Sequence, residues 1–195
     1  LKVGSYGQLL GTRLIVTTVT GGAGGAASET VAGLAVDNQG QAFVAGTVGL
    51  GTITTTPDAF QPARQDACCT DGYVMRVDTN APGFPVGYAS FLGGSSDDHV
   101  FGISRATNGD LFVTGTSHSA DFPTTPSAYA PTSPQVGPEE GGHDTFLVKL
   151  GLTIQPREYQ LIFGTWLGAV PSQPSSLVVL PGDTPAIAGT ASDLV

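Results

Sequence analysis

The sequence predicts an all-β fold built from β-propeller-type blades of four antiparallel strands. Apolar residues make up 40% of the 195 residues, enough for a core, while charged residues make up only 12%, about half the usual share. The chain has 28 Gly and 14 Pro, which indicates many turns between short strands. The third observation is that one sequence pattern recurs in the same order along the chain. Such recurrence is typical of repeat architectures.

The recurring pattern has four landmarks and a period of about 70 residues. They are an apolar segment ending in Gly, a hairpin-like segment ending in Gly-Thr, a Thr/Pro-rich segment, and a short apolar segment that begins with Asp. The glycines of the first landmark are Gly21, Gly93 and Gly164. Those of the second landmark are Gly46, Gly115 and Gly189. The last two landmarks are at 53–60 and 122–129, and at 71–77 and 144–150.

Each repeat contains four short segments that favour strands. The first two form a hairpin, because Asn108-Gly109 is typical of a type I′ turn and Gly40 and Gly182 occupy the equivalent turns. The short apolar segment that begins with Asp supplies the third strand, and the apolar segment that ends in Gly supplies the fourth. Between the second and third strands lie about 25 residues, a length that predicts a protruding surface loop.

Four short antiparallel strands per period are typical of a propeller blade. A solenoid would have shorter coils, and a sandwich would not need strands that recur in order. The predicted strands number twelve, about three blades' worth, and they are out of phase with the blade boundaries. The chain is treated as one domain, 1–195, with repeat landmarks at approximately 14–86, 87–158 and 159–195, and with 1–13 completing a preceding repeat.

The middle repeat resembles the bacterial seven-bladed β-propeller repeat family, SBBP. Its hallmark runs are matched by FLGGSSDD, GDLFVTGT, DFPTTPSAY and HDTFLVKL, at 91–98, 109–116, 121–129 and 143–150. The flanking repeats match only partially. The resemblance implies a large, secreted or surface-attached bacterial protein, and it implies no single chemistry.

Three blades do not close a ring, since propellers have about four to eight. Two interpretations follow. We expect the chain to be a segment of a longer propeller; the abrupt stop and the missing initiating Met favour this. The alternative is that the first strands of one chain complete the last hairpin of another.

The charge of the chain limits its partners. The net charge is −9 with only seven Lys and Arg, so a basic stripe for nucleic acid or for an anionic membrane surface cannot form. No apolar run approaches the roughly 20 residues needed to span a bilayer. We expect no nucleic acid, no membrane insertion, and a secreted or cell-surface location.

Two groups of residues could hold metal ions. Asp97 and Asp98 could bind Ca²⁺ or accept backbone hydrogen bonds in a turn. His143 and Asp144, which follow Glu139 and Glu140, could bind metal or transfer protons. However, Asp144 corresponds to Asp71 in the previous repeat, which favours a structural role.

The adjacent cysteines, Cys68 and Cys69, leave three alternatives open. They could form a vicinal disulfide in an extracytoplasmic loop, bind a metal with other ligands, or stay reduced.

Aromatic residues offer candidate contact surfaces. Phe60, Phe122 and Tyr129 could stack on sugars or pack between blades. Trp166 has no counterpart in the other repeats and is the best single candidate for a contact surface, although burial is the favoured interpretation.

No catalytic motif occurs, so we expect a structural or adhesive binding scaffold that contacts protein or carbohydrate at the extracellular surface, and not an enzyme. One alternative is a subunit of an extracellular homomultimer or filament closed by strand exchange. The other is a carbohydrate-active propeller enzyme, which would need convergent carboxylates on the inner hairpins. Only Asp37 and Asp110 lie there, and both occupy turns.

Overall fold

The computed structural model describes residues 2–3, 9–11, 29–49, 51, 53–65, 68–134, 143–153, 159–168 and 172–191. Within them it has twelve strands: β1 Lys2–Val3, β2 Leu9–Gly11, β3 Glu29–Val36, β4 Gln41–Val48, β5 Asp71–Asp78, β6 Val86–Leu92, β7 Asp98–Arg105, β8 Leu111–Ser117, β9 Asp144–Leu152, β10 Tyr159–Leu167, β11 Ser172–Leu180 and β12 Thr184–Ala191. The predicted strand within 14–22 lies outside the described residues.

The strands form two four-stranded antiparallel sheets and two two-stranded pairs. In the first sheet the order is β3-β4-β5-β6, and in the second it is β7-β8-β9-β10. Each strand therefore pairs with the next one along the chain. β1 pairs with β2, and β11 pairs with β12. The all-β prediction is confirmed, together with the predicted strand order within each four-stranded sheet.

The sheets pack face to face around apolar cores. Phe43, Val74 and Tyr88 of the first sheet join Val113 and Val148 of the second in one buried cluster. The opposite face of the second sheet packs on the β11–β12 hairpin. There, Phe112 and Leu147 lie in a cluster with Leu177, Val179 and Ile187 packed against it. Strands β4 and β8 are buried on both faces, which explains why their sequences are nearly continuous apolar and small residues.

The glycine of each Gly-Thr landmark faces a β-bulge. One extra residue interrupts the pairing of β3 with β4, of β7 with β8 and of β11 with β12. Beside the bulge a carbonyl group of the first strand closely approaches the facing glycine. A Cβ on Gly115 would overlap the carbonyl oxygen of His99 and would lie 2.7 Å from the ring of Phe146. The recurrence of this glycine in the sequence therefore has a steric cause.

Gly115→Ala should lower the free energy of unfolding by about 1–3 kcal/mol, because overpacking a tight core forces the backbone to shift. Urea denaturation measures this. Gly87→Ala is the control, since the atoms nearest to a Cβ there belong to the flexible end of the Arg76 side chain. Equal losses in both variants would contradict the steric explanation.

The hairpin turn at Asn108-Gly109 differs from the prediction. A type I′ turn needs a positive φ at both central residues. Gly109 has a φ of 100°, but Asn108 is not among the residues with positive φ. Instead, the turn runs from Ala106 to Asp110: Gly109 N–H donates to the carbonyl of Ala106, and Ala106 N–H donates to that of Asp110. Gly40 has the expected positive φ, 79°.

The prediction of protruding Thr/Pro loops is wrong for the first part of each loop, which lies along the outer edge of a sheet. Thr56 N–H donates to Ala89 of β6, and Thr125 N–H donates to Gly164 of β10. Trp166 N–H in turn donates to the carbonyl of Ala130. These contacts cover the edge strands, which otherwise expose unpaired backbone groups.

Candidate functional site

All three histidines of the chain come together at one end of the second sheet. β7 begins at Asp98, β8 ends at Ser117 and β9 begins at Asp144, and these three residues lie opposite one another in register. The neighbouring residues Asp97, His118 and His143 therefore lie at the same end. We call Asp97, Asp98, His99, His118 and His143 the strand-end cluster.

Asp98 is the buried member of the strand-end cluster, with 0% of its surface exposed. Its Oδ2 accepts hydrogen bonds from Gly94 N–H at 2.6 Å and from the Ser119 hydroxyl at 2.9 Å. Burial raises the pKa of Asp98 to about 7, and the nearby charge of Asp71 acts in the same direction. Hydrogen bonds from Ser117, Gly94 and Ser119 lower the pKa and offset part of this effect.

Asp97 points to different partners. Its Oδ1 accepts hydrogen bonds from the backbone N–H and the hydroxyl of Thr70, both at 2.8 Å. Burial alone would raise the pKa of Asp97. The Thr70 hydrogen bonds and the charges of His99 and His118 outweigh it, so the pKa lies below its ordinary value. Asp97 thus ties the end of β7 to the segment before β5 in the neighbouring sheet.

The histidine rings lie close to one another and to Asp97. The ring centroids of His118 and His143 are 5.3 Å apart, and His118 Nδ1 is 3.2 Å from the carbonyl oxygen of Asp97. Burial lowers the pKa of His99; Asp97 opposes this shift, while His118 and His143 add to it. The cluster therefore favours neutral histidine at His99.

The strand-end cluster does not have the arrangement of a metal centre. Among the residues that the structure describes, no three His, Cys, Asp or Glu side chains are placed to hold a metal ion. The carboxylates of Asp97 and Asp98 bind different turns, and each accepts a backbone N–H. This geometry supports the turn-capping alternative over a shared Ca²⁺ site.

Asp71 and Asp144, which correspond in the two sheets, are both fully buried. Asp71 Oδ2 forms an ion pair with Arg64 Nε at 2.9 Å, and Asp144 accepts a hydrogen bond from the Ser133 hydroxyl. Each carboxylate thus fastens the segment before its strand to the sheet. Glu139 and Glu140 lie outside the described residues.

The carboxylates of the hairpin turns also have local partners. Asp37 Oδ1 accepts the N–H groups of Gln39 and Gln41 at 2.9 and 2.8 Å. Asp110 Oδ2 lies 2.7 Å from Lys149 Nζ and accepts a hydrogen bond from the Asn108 amide. The two carboxylates serve turns and an ion pair, as their sequence positions suggest.

Cys68 and Cys69 are joined in a vicinal disulfide in the structure, which is one of the three alternatives that the sequence leaves open. The disulfide lies in the segment that leads into β5, beside Thr70, which donates its N–H to Asp97.

Trp166 is buried, with 1% of its surface exposed, so of the two alternatives that the sequence leaves open, burial is the one found. Its ring packs on Phe122, with centroids 5.4 Å apart, and Phe122 stacks on Phe146 at 4.3 Å. Burial follows from position, since β10 is held between β9 and the Thr/Pro segment. Phe60 is also packed against the core. Tyr129, in contrast, is 86% exposed.

Sequence reasoning did not select His118. The sequence did contain a signal for it, because His118 directly follows the predicted second strand of the hairpin. Antiparallel pairing places the end of that strand beside the start of the first strand. The site as a whole contains buried, hydrogen-bonded carboxylates and neighbouring imidazoles. These groups can take up protons, and most of their contacts hold strand ends and turns together.

No helix of the described residues has the length and apolar character needed to cross a membrane. Comparison with protein-family models and with curated proteins finds no match for this sequence.

Proposed function

We propose that this chain is part of a β-propeller-type repeat protein of the SBBP kind, which works outside the cell as a structural and adhesive scaffold. The observation that carries the proposal is the use of the buried acids. Asp71, Asp98 and Asp144 each fasten a loop or a turn to a sheet. Groups that an enzyme would present to a substrate are here engaged in holding strand ends.

The sheet geometry supports the propeller part of the proposal. Both four-stranded sheets follow the same order, and the bulge in the first strand recurs in both of them and in the hairpin. Neighbouring sheets contact each other through their first strands, β3 with β7 and β7 with β11. Radial packing of meander sheets through their inner strands is the arrangement of propeller blades.

The vicinal disulfide supports an extracytoplasmic location, because disulfides persist in oxidising compartments.

A scaffold also needs a contact surface, and Tyr129 supplies one. It projects from the segment that covers β10 and is the most exposed large apolar residue described. An aromatic ring held on a rigid edge presents a flat face for sugar rings or for apolar protein groups.

Beads coated with the chain should adhere to at least one insoluble extracellular polymer, tested with cellulose, chitin and peptidoglycan. Tyr129→Ser should weaken adhesion about tenfold, the effect of losing one aromatic anchor, and should change the free energy of unfolding by less than about 0.5 kcal/mol.

Ile162→Ser is the matched control, because Ile162 is also exposed, at 54%, but lies on β10 itself. Release of reducing sugar ends from any of these polymers would favour the carbohydrate-active alternative. Adhesion that survives Tyr129→Ser would remove Tyr129 from the proposal.

A further inference from the structure

The disulfide between Cys68 and Cys69 lies in a segment that is anchored on both sides. Before the disulfide, the buried side-chain amide of Gln61 donates to the carbonyl of Gly93 at 3.2 Å and accepts the N–H of the same residue at 3.1 Å. This holds the segment to the end of the first sheet. Directly after the disulfide, Thr70 contacts the second sheet. The disulfide therefore lies where the segment passes from one sheet to the other.

Thr70 joins the segment to the start of β7 through three hydrogen bonds. Its N–H and its hydroxyl both donate to Asp97 Oδ1 at 2.8 Å, and its carbonyl accepts the N–H of Asp98 at 2.7 Å. We call these three hydrogen bonds the Thr70 contact. The Asp97 carbonyl in turn accepts the N–H of His118, at the end of β8, at 2.9 Å. The Thr70 contact therefore depends on the backbone position of a residue that directly follows Cys69.

The disulfide restricts the backbone immediately before Thr70. Adjacent cysteines that are joined close a small ring containing the peptide bond between them, so the backbone loses conformational freedom there. Reduction opens the ring and returns that freedom. The corresponding positions of the next repeat are Gly141 and Gly142, so the repeat pattern itself does not call for a cross-link at this place.

The two cysteines differ in accessibility. Cys68 is exposed, whereas Cys69 is half-buried. Disulfide exchange begins when a thiolate attacks an accessible sulfur, and exposed disulfides are the ones that exchange readily. Cys68 is therefore the sulfur that a reductant reaches.

We propose that Cys68 and Cys69 form a redox site at which reduction by a dithiol opens the Thr70 contact between the two sheets. A thiolate of the dithiol attacks Cys68 Sγ, forms a mixed disulfide and releases Cys69 as a thiolate. The second thiolate of the dithiol then displaces Cys68 and closes the disulfide of the reductant. The two electrons of the dithiol thus pass to the cysteine sulfurs, and each sulfur takes up a proton when its thiol forms.

The reverse reaction restores the ring and the Thr70 contact. In an oxidising compartment the disulfide is the resting form, and a dithiol is the signal that changes it. The inference goes beyond the proposed scaffold function, because it assigns a chemical control to the junction of the sheets and does not depend on adhesion.

Amide hydrogen exchange of the whole chain, followed by NMR before and after addition of dithiothreitol without denaturant, tests the proposal. The amides of Thr70 and Asp98 should exchange at least about tenfold faster after reduction, the factor that corresponds to the loss of one hydrogen bond to a charged group. The amide of Trp166, which donates to the carbonyl of Ala130, should keep its rate. Reoxidation should restore the protection of Thr70 and Asp98.

Two variants separate the redox step from the Thr70 contact. The double variant Cys68→Ser, Cys69→Ser should exchange like the reduced wild type and should not respond to dithiothreitol. Asp97→Ala removes the acceptor of the Thr70 contact, so its Thr70 amide should exchange rapidly at the start, and reduction should add less than about twofold, because the two changes act on one contact.

Alkylation of both cysteines by iodoacetamide, measured by mass, verifies that reduction has taken place. A disulfide that resists dithiothreitol in the folded chain would overturn the proposal, as would Thr70 and Asp98 amides that stay protected after reduction. Equal acceleration of the Trp166 amide would also overturn it, since that result means loss of the whole fold. The bead assay uses the oxidised chain, so a failure of adhesion there leaves this inference standing.

Discussion

Trp166→Ala should lower the free energy of unfolding by about 3–5 kcal/mol, the usual cost of removing a large buried aromatic side chain. The indole lies at 1% exposure and packs on Phe122, so its loss leaves a cavity between the sheet and the Thr/Pro segment. The surrounding backbone is held by hydrogen bonds on both sides of β10, which limits collapse into the cavity.

Urea denaturation followed by circular dichroism measures this loss, because Trp166 is the only tryptophan of the chain and the variant has no indole fluorescence. Ile162→Ala is the control on the same strand. Ile162 is 54% exposed, and its truncation should cost less than about 0.5 kcal/mol. A comparably small loss for Trp166→Ala would contradict the burial of the Trp166 side chain.

The strand pattern was predictable because it depends on local chemistry. Alternating or continuous apolar segments bounded by Gly and Asp give β3 to β12 in order, and neighbouring strands in a meander need no knowledge of distant contacts. The turn at Asn108-Gly109 shows the limit of this approach. The same dipeptide fits a longer turn with only Gly109 at positive φ, and the choice depends on the bonds of Ala106 and Asp110 around it.

The course of the Thr/Pro segments was not predictable from their composition. Residues rich in Thr and Pro are typical of exposed loops, yet Thr56 and Thr125 pair with the outer strands. This pairing satisfies an open sheet edge, a requirement that arises only once the sheet exists. The same requirement buries Trp166, which as a tryptophan has no counterpart in the other repeats, together with Phe122.

The strand-end cluster was predictable in part. The sequence singles out Asp97, Asp98 and His143, but adjacency in sequence suggests a shared site for the two aspartates. Asp98 is the first residue of β7 and enters the interior. Asp97 precedes the strand and accepts hydrogen bonds from Thr70, so the two neighbours have opposite pKa shifts.

Asp98→Asn should remove the pH dependence that Asp98 imposes on the free energy of unfolding. Its pKa is raised from 3.8 to about 7 in the folded state, so the folded protein holds the proton more tightly than the unfolded chain. This contribution is fully present below pH 4 and is lost as the pH rises towards 7. The free energy of unfolding of wild type, relative to the Asn variant, should therefore fall by about 4 kcal/mol between pH 4 and pH 8.

Asp97→Asn is the matched comparison, one residue away. Because the pKa of Asp97 is lowered, its contribution is present at neutral pH and is lost only as the pH falls below about 4. Urea denaturation followed by Trp166 fluorescence at pH values from about 3 to about 8 spans both transitions. The free energy of unfolding of wild type relative to Asp97→Asn should stay constant over the pH range in which the same quantity relative to Asp98→Asn falls. Parallel curves for the two variants would contradict the separate environments of these neighbours, since a shared site would couple their titrations.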